Sequence, residues 1–175
     1  MTVHFDPLRW PEDSEAVIEF LVSNEWPFHG TPNLSAREAA AAGVTGDDIR
    51  TFWIRDHDTR VGLIKLFDLG DLETGSPMFD LRIAESHRGR GIGTVAVRWL
   101  TGHLFSTYQA AHRIEATTRA DNIAMQSVFD RCGYSLEGRF VEAWVNSDGT
   151  RSDALSYGIL RREHQDPAPQ EDQNI

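Results

Sequence analysis

The chain is short of several things, and each shortage excludes something. It has one cysteine, Cys132, so neither an intramolecular disulfide nor a cysteine-based zinc cluster can form. Its only lysine is Lys65, so a triphosphate loop, which needs lysine after its last glycine, has no residue to supply it. No apolar run approaches the roughly 18 residues of a membrane span. The first ten residues carry Asp6 and Pro7 and lack the basic head and apolar stretch of a signal peptide. A cytoplasmic protein with no membrane partner is expected. Positive charge is scarce too, with 17 Lys and Arg against 27 Asp and Glu and a net charge of −10. The deficit is uneven: residues 1–80 hold 15 acidic and 6 basic residues, while residues 81–175 hold 12 and 11. Nucleic acid is a poor partner for such a surface, because phosphate binding needs clustered Lys and Arg. A protonated amine would be welcome on the N-terminal side, although acidity also serves solubility alone.

What is present is an ordinary globular composition. A chain of 175 residues that is 40% hydrophobic fits one domain and should bury roughly two-thirds of its unfolded surface. Pro11 to Ser23 reads as an amphipathic helix with Val17, Phe20 and Leu21 as its stripe. Ser35-Ala36-Arg37-Glu38 is a capping-box pattern that opens a second helix, stopped by Gly43 and Gly46. Thr51 to Arg55 and Val61 to Phe67 read as a hairpin across His57 to Arg60. Met78 to Ile83 alternates, with Phe79, Leu81 and Ile83 on one face and Asp80 and Arg82 on the other. A helix is expected from Thr94 to about Tyr108, and a strand from Arg113 to Thr117. Asp121 is expected to cap a helix striped by Met125, Val128, Phe129 and Cys132 and closed by Gly133. Strands around Leu136 to Val145 and Ala154 to Leu160 finish a domain over 1–160, followed by a disordered polar tail over 161–175. This order predicts an α/β fold with a mixed, mostly antiparallel central sheet and helices on both faces.

The densest signal is Arg88-Gly89-Arg90-Gly91-Ile92-Gly93, placed after a strand and opening a helix. Glycines let backbone approach a ligand closely, and the free N–H groups and dipole of a helix start attract anions. Arg88 and Arg90 add positive charge, so the segment reads as a pyrophosphate cradle. A dinucleotide fingerprint would want glycine where Thr94 stands, and too few elements follow to complete a doubly wound sheet. A nicotinamide-dependent oxidoreductase is therefore the weaker reading of the same glycines.

Arg88-x-x-Gly91-x-Gly93 resembles the acetyl-CoA loop of the GNAT superfamily of N-acetyltransferases, and the element order resembles that superfamily's. Ile114-Glu115-Ala116, Asn122, Gly133-Tyr134, Glu137-Gly138, Asp153 and Tyr157 are similar to the Rim-type branch, the ribosomal-protein N-terminal acetyltransferases. The resemblance spans about residues 3–160. It implies a GNAT-like fold and a cofactor site made of the strand end at Arg82 and Ile83, the loop Arg88, Gly89, Arg90, Gly91, Ile92, Gly93 and Thr94, and Asn122. It implies acetyl transfer from acetyl-CoA to a primary amine by direct attack, with a backbone N–H near Ile83 polarising the thioester carbonyl. The acceptor would be a small cationic amine or a peptide or protein N-terminus, and the enzyme a monomer or homodimer.

The sequence departs from the family at its proton donors. Many members place tyrosine where Phe129 stands, and the Rim-type branch often places serine where Met125 stands. A catalytically degenerate, acyl-CoA-binding sensor is the alternative that this departure raises. Asp80 is the candidate base; its structural alternative is an ion pair with Arg82. Trp26, Phe28 and His29 are the candidate acceptor wall, with Glu142 as a possible border from a late strand; the aromatics can equally be core. Glu115 is expected to pair with a neighbouring arginine and Asp153 to serve a turn. The remaining histidines form no i, i+4 pair with a carboxylate, and no metal is expected.

Overall fold

The computed structural model describes residues 2–164. In chain order the elements are β1 (Val3–Pro7), α1 (Ser14–Val22), α2 (Ala36–Ala40), β2 (Arg50–Asp56), β3 (Thr59–Phe67), β4 (Met78–Ile83), α3 (Ile92–Thr107), β5 (Arg113–Arg119), α4 (Ile123–Arg131), β6 (Ser135–Val145) and β7 (Arg151–Leu160). Each expected strand and helix is present. The boundaries shift where a local hydrogen bond competes with the helix. Pro11 lies ahead of α1, because residues 9–13 form a turn in which Asp13 N–H donates to the Arg9 carbonyl and the Asp13 carboxylate accepts from Arg9 N–H. Asn122 caps α4, not Asp121 as expected: the Asn122 Oδ1 accepts from Met125 N–H at 3.2 Å, while Asp121 is held by Arg119. The capping box of α2 forms as its pattern predicts.

Alternating side chains on β2 and β3 divide the interior in two. Trp53 and Leu63 face α1 and α2 and join Val17, Leu21, Trp26 and Ala39 in one cluster. Phe52, Ile54, Ile64 and Leu66 face the other way, onto Val97, Leu100 and Leu104 of α3 and Phe129 of α4. Helices thus cover both faces. Helix α1 is only nine residues long, too short to persist alone. Burying Val17 and Leu21, at about 1.5–3 kcal/mol each, is what holds it.

The expected mixed sheet is two antiparallel sheets. One runs β1-β2-β3-β4 and the other β5-β7-β6. They touch where β4 and β5 begin, through a 3.0 Å bond from Glu115 N–H to the Pro77 carbonyl. No ladder pair joins β4 to β5 among the described residues. A gap is so left between the strands.

The expected tail does not begin at residue 161. Arg161–Glu163 forms a short 3₁₀ turn, and the Arg161 guanidinium donates to the carbonyls of Phe105, Tyr108 and Ala111. Residues 165–175 of the expected tail lie outside the described residues. No helix among the described residues is long and apolar enough to cross a membrane.

Candidate active site

The register of β4 decides which backbone groups face the gap. Ala84 N–H donates to the Val61 carbonyl, and Arg82 and Asp80 stand opposite Leu63 and Lys65. Hydrogen-bonded pairs alternate along an antiparallel ladder, so the N–H and C=O of Arg82 and Asp80 are spent on β3. Those of Leu81 and Ile83 point toward the parting of the sheets. The backbone donors that can polarise a carbonyl there belong to Leu81 and Ile83, not to Arg82; Leu81 was not expected from sequence, since strand register is invisible in composition.

A cleft of about 420 Å³ opens along this gap. Its wall brings together Trp26, Phe28 and His29 from the loop after α1, Arg82 and Ile83 from β4, Arg88, Gly89, Gly91, Ile92, Gly93 and Thr94 from the loop and first turn of α3, and Asn122 from the cap of α4. Trp26 and Asn122, 96 positions apart in the chain, therefore share one wall. Pro27, Leu81, His87, Ala124, Met125, Ser127, Val128 and Arg131 also line it. Only the helical spacing of Ala124, Ser127 and Arg131 hinted at that shared face.

Gly91 caps α3 with φ of +83°, and Gly89 has φ of +74°. Both are left-handed conformations that glycine takes at no steric cost. Gly91 has no side chain to cap the helix, so the N–H groups of Ile92, Gly93 and Thr94 meet the cleft without an intrahelical acceptor. Such donors with the helix dipole behind them suit a diphosphate. The donor set therefore fits the pyrophosphate of CoA.

The two arginines, both expected to add positive charge to the cradle, act differently from each other. Arg88 turns inward: its Nε donates to the Ile83 carbonyl at 3.0 Å, its Nη2 to the Glu25 carbonyl, and its guanidinium lies over the Trp26 ring at 5.6 Å. It pins the loop to β4 and to the segment after α1. Arg90 is exposed and does not line the cleft. The groups that do face the cleft with positive character are the helix amides and Arg131 at the far end of α4.

Trp26 is both core and cleft wall. It is 1% exposed, donates from Nε1 to the Leu21 carbonyl at 2.8 Å, and carries the Arg82 guanidinium at 5.2 Å from its ring centre. Phe28 lies under Arg119 at 5.3 Å, and Arg119 also donates to the Pro27 carbonyl. The loop is thereby tied to β5.

His29 and Asp80 meet: His29 Nε2 lies 2.8 Å from Asp80 Oδ1, and Arg82 Nε donates to Asp80 Oδ2 at 3.1 Å. Burial alone raises the Asp80 carboxyl, but His29 and then Arg82 outweigh it and hold it well below the usual carboxylate range. His29 Nδ1 and Arg82 Nη1 are buried without a hydrogen-bond partner.

Other expected residues lie elsewhere. Glu142 does not border the cleft. It is exposed, with φ of +53°, at an irregular stretch of β6, and β6 is separated from β5 by β7. Glu115 pairs with Arg113 at 2.9 Å, and Asp153 accepts from Glu142 N–H and Arg139. Phe129 is core, with its ring centre 4.6 Å from that of Tyr157. Tyr134 is no substitute acid: its hydroxyl is buried against Thr101 at 2.9 Å, and burial pushes its pKa up. Ser127 and Thr94 are the hydroxyl-bearing residues that do line the cleft. Cys132 is half-buried, with its Sγ 3.5 Å from the Thr94 carbonyl.

Comparison with known proteins agrees with this geometry. The family model described as the acetyltransferase (GNAT) domain matches residues 3–135. A search of curated proteins found no match. Among solved structures, a probable acetyltransferase superimposes with a TM-score of 0.76 at 21% identity, covering 93% of this chain and 94% of that one. The spermidine N-acetyltransferase of Vibrio cholerae in complex with CoA and spermine gives 0.74 at 20% identity, covering 92% and 96%. The same enzyme in complex with manganese ions gives 0.70 at 21% identity, covering 90% and 92%. With the cradle, the parted sheets and the family match in hand, the chain belongs to the GNAT acetyltransferase family, whose chemistry is acetyl transfer from acetyl-CoA to a primary amine.

Proposed function

We propose that the acceptor is a small cationic amine of the polyamine type and that the cleft works by positioning. The observation that carries the reading is the cleft itself. It has uncapped helix amides at one end, the Leu81 and Ile83 backbone in the middle, and an aromatic wall with a histidine–carboxylate pair at the other.

Acetyl-CoA supplies the electrophile, a thioester carbonyl, when bound. The chain's own residues do the rest. The amides of Ile92, Gly93 and Thr94 hold the diphosphate, and Asn122 borders the arm from the α4 cap. The N–H of Leu81 or Ile83 donates to the oxygen on which negative charge gathers. The amine enters past Trp26 and Phe28, from the half of the chain with 15 acidic and 6 basic residues. That field favours a cation over a neutral amine. The spermine-bound relative in the same fold points the same way.

The Rim-type features at Asn122, Gly133-Tyr134 and Glu137-Gly138 support a place in that branch. A free thiol at Cys132 and a CoA co-substrate suit the cytoplasm. The test is acetyl-CoA consumption with spermidine, an aminoglycoside and a peptide bearing a free N-terminus. Turnover led by spermidine is the expected result. Preference for the peptide overturns the acceptor assignment. Tight acetyl-CoA binding without turnover on any amine favours the sensor that Phe129 and Met125 suggest.

A further inference from the structure

We propose that His29 is the general base of the transfer, taking the amine proton on Nδ1, and that Asp80 is the positioning residue that presents it. The inference rests on the acetyltransferase reading above.

An ionised carboxylate offers only acceptors. The 2.8 Å contact from His29 Nε2 to Asp80 Oδ1 therefore requires the hydrogen on Nε2. In the neutral ring that leaves the lone pair on Nδ1. This nitrogen is buried and has no partner among the described residues, a costly state for a polar atom. The His29 residue lines the cleft, and an ammonium that displaces the groups covering Nδ1 there provides the missing hydrogen bond. The ring is also held edge-on against Trp26, centres 6.1 Å apart, and Trp26 is anchored to the Leu21 carbonyl.

Asp80 fits the positioning role better than that of a base. Both of its oxygens are engaged, one by His29 and one by Arg82, and its carboxyl is held well below the usual range. The charged groups around the pair are Lys65 from β3, opposite Asp80; Arg82 from β4; His87 and Arg88 from the loop before α3; and Arg119 at the end of β5, which reaches the neighbouring Pro27 and Phe28 and is itself paired with Asp121.

The step balances as follows. The ammonium gives one proton to Nδ1 and becomes a nucleophile. Its lone pair forms the C–N bond to the acetyl carbon, and the C–S bond breaks with its electrons on sulfur. The second amine proton passes through water to that sulfur. The imidazolium returns the first proton to solvent, so ammonium and acetyl-CoA yield amide, CoA thiol and one proton.

The experiment is steady-state acetyl-CoA consumption with spermidine from pH 5 to 9, on the parent, His29→Gln, His29→Ala and Asp80→Asn. A thermal shift with CoA serves as the folding control. The expected result is a loss of kcat of about 100-fold in His29→Gln with KM for acetyl-CoA within about twofold. The rise in activity with pH is lost, and added imidazole restores turnover saturably to His29→Ala. Asp80→Asn is expected to lower kcat by about tenfold, again with little change in that KM. Activity in His29→Gln within about threefold of the parent, with the pH rise intact, overturns the assignment. So does the absence of imidazole rescue in a His29→Ala variant that still responds to CoA. Parent protein that turns over no amine overturns the acetyltransferase reading itself, a result distinct from an active parent with an equally active His29→Gln.

Discussion

Replacing Gly93 by alanine separates binding from folding at the α3 cradle. Gly93 is helical, and a Cβ built on it meets only Val128 Cγ2, at 3.5 Å, an ordinary van der Waals contact. Alanine for glycine inside a helix is worth about 0.8–1 kcal/mol, so the variant should gain up to that amount. For a domain of this size the gain corresponds to a rise in Tm of about 2–4 °C at most. Both Gly93 and Val128 line the cleft, however, so the new methyl group stands where the diphosphate or its arm must approach the helix amides. The expected cost is a tenfold or greater rise in the Kd for acetyl-CoA, about 1.4 kcal/mol or more. Gly91→Ala is the contrast. Its φ of +83° makes a side chain cost about 1–2 kcal/mol of strain, although nothing lies within 4 Å of the new atom. Its Tm should fall where that of Gly93→Ala rises. Melting without ligand and titration calorimetry with acetyl-CoA measure the two quantities independently. Undiminished affinity in a stabilised Gly93→Ala would show that the α3 N-terminus does not seat the cofactor.

Asn122→Ala should lose about 1 kcal/mol, because its Oδ1 caps Met125 N–H; an unchanged melting temperature would mean that another group caps α4. Tyr134→Phe should leave kcat unaltered while lowering stability by about 1 kcal/mol, since it removes only the buried bond to Thr101; a drop in kcat would make Tyr134 a proton donor. Asp80 is depressed in the folded state, so its contribution is present above the unfolded pKa of about 3.9 and is lost as pH falls below it. Asp80→Asn should therefore be less stable than the parent at neutral pH, with the gap closing below about pH 4 in chemical denaturation. Burial raises the Cys132 thiol, with Arg98 only partly offsetting it, so iodoacetamide at pH 8 should label the native protein far more slowly than the denatured chain; equal rates would place the thiol at the surface.

Much of this molecule was written in local signals. The capping box at Ser35, the alternation of Phe79 to Ile83, and the glycines ahead of α3 are each read over a few residues. Their outcomes depend on backbone conformation, side-chain period and helix ends. Those signals determined the elements, their order and the candidate cofactor loop. Their resolution stops at competition: Asp121 and Asn122 were both able to cap α4, and only the arrival of Arg119 at Asp121 gave the role to Asn122. Glu142 read as a border of the pocket because strand order is not a local property; β7, inserted between β5 and β6, put it out of reach. Arg88 read as positive charge for the cradle because nothing in its neighbourhood announces that the carbonyls of Ile83 and Glu25 will claim it.

What only the tertiary structure decided is the parting of β4 from β5 and the meeting of His29 with Asp80. The two residues are 51 positions apart, on a loop and a strand that share no periodicity. Their contact follows from the packing of α1 and Trp26 against Trp53 and Leu63. Such pairing is set by the energy of the whole interior, in which one residue's partner depends on where every other element has come to rest, and a sequence read a dozen residues at a time does not contain that sum.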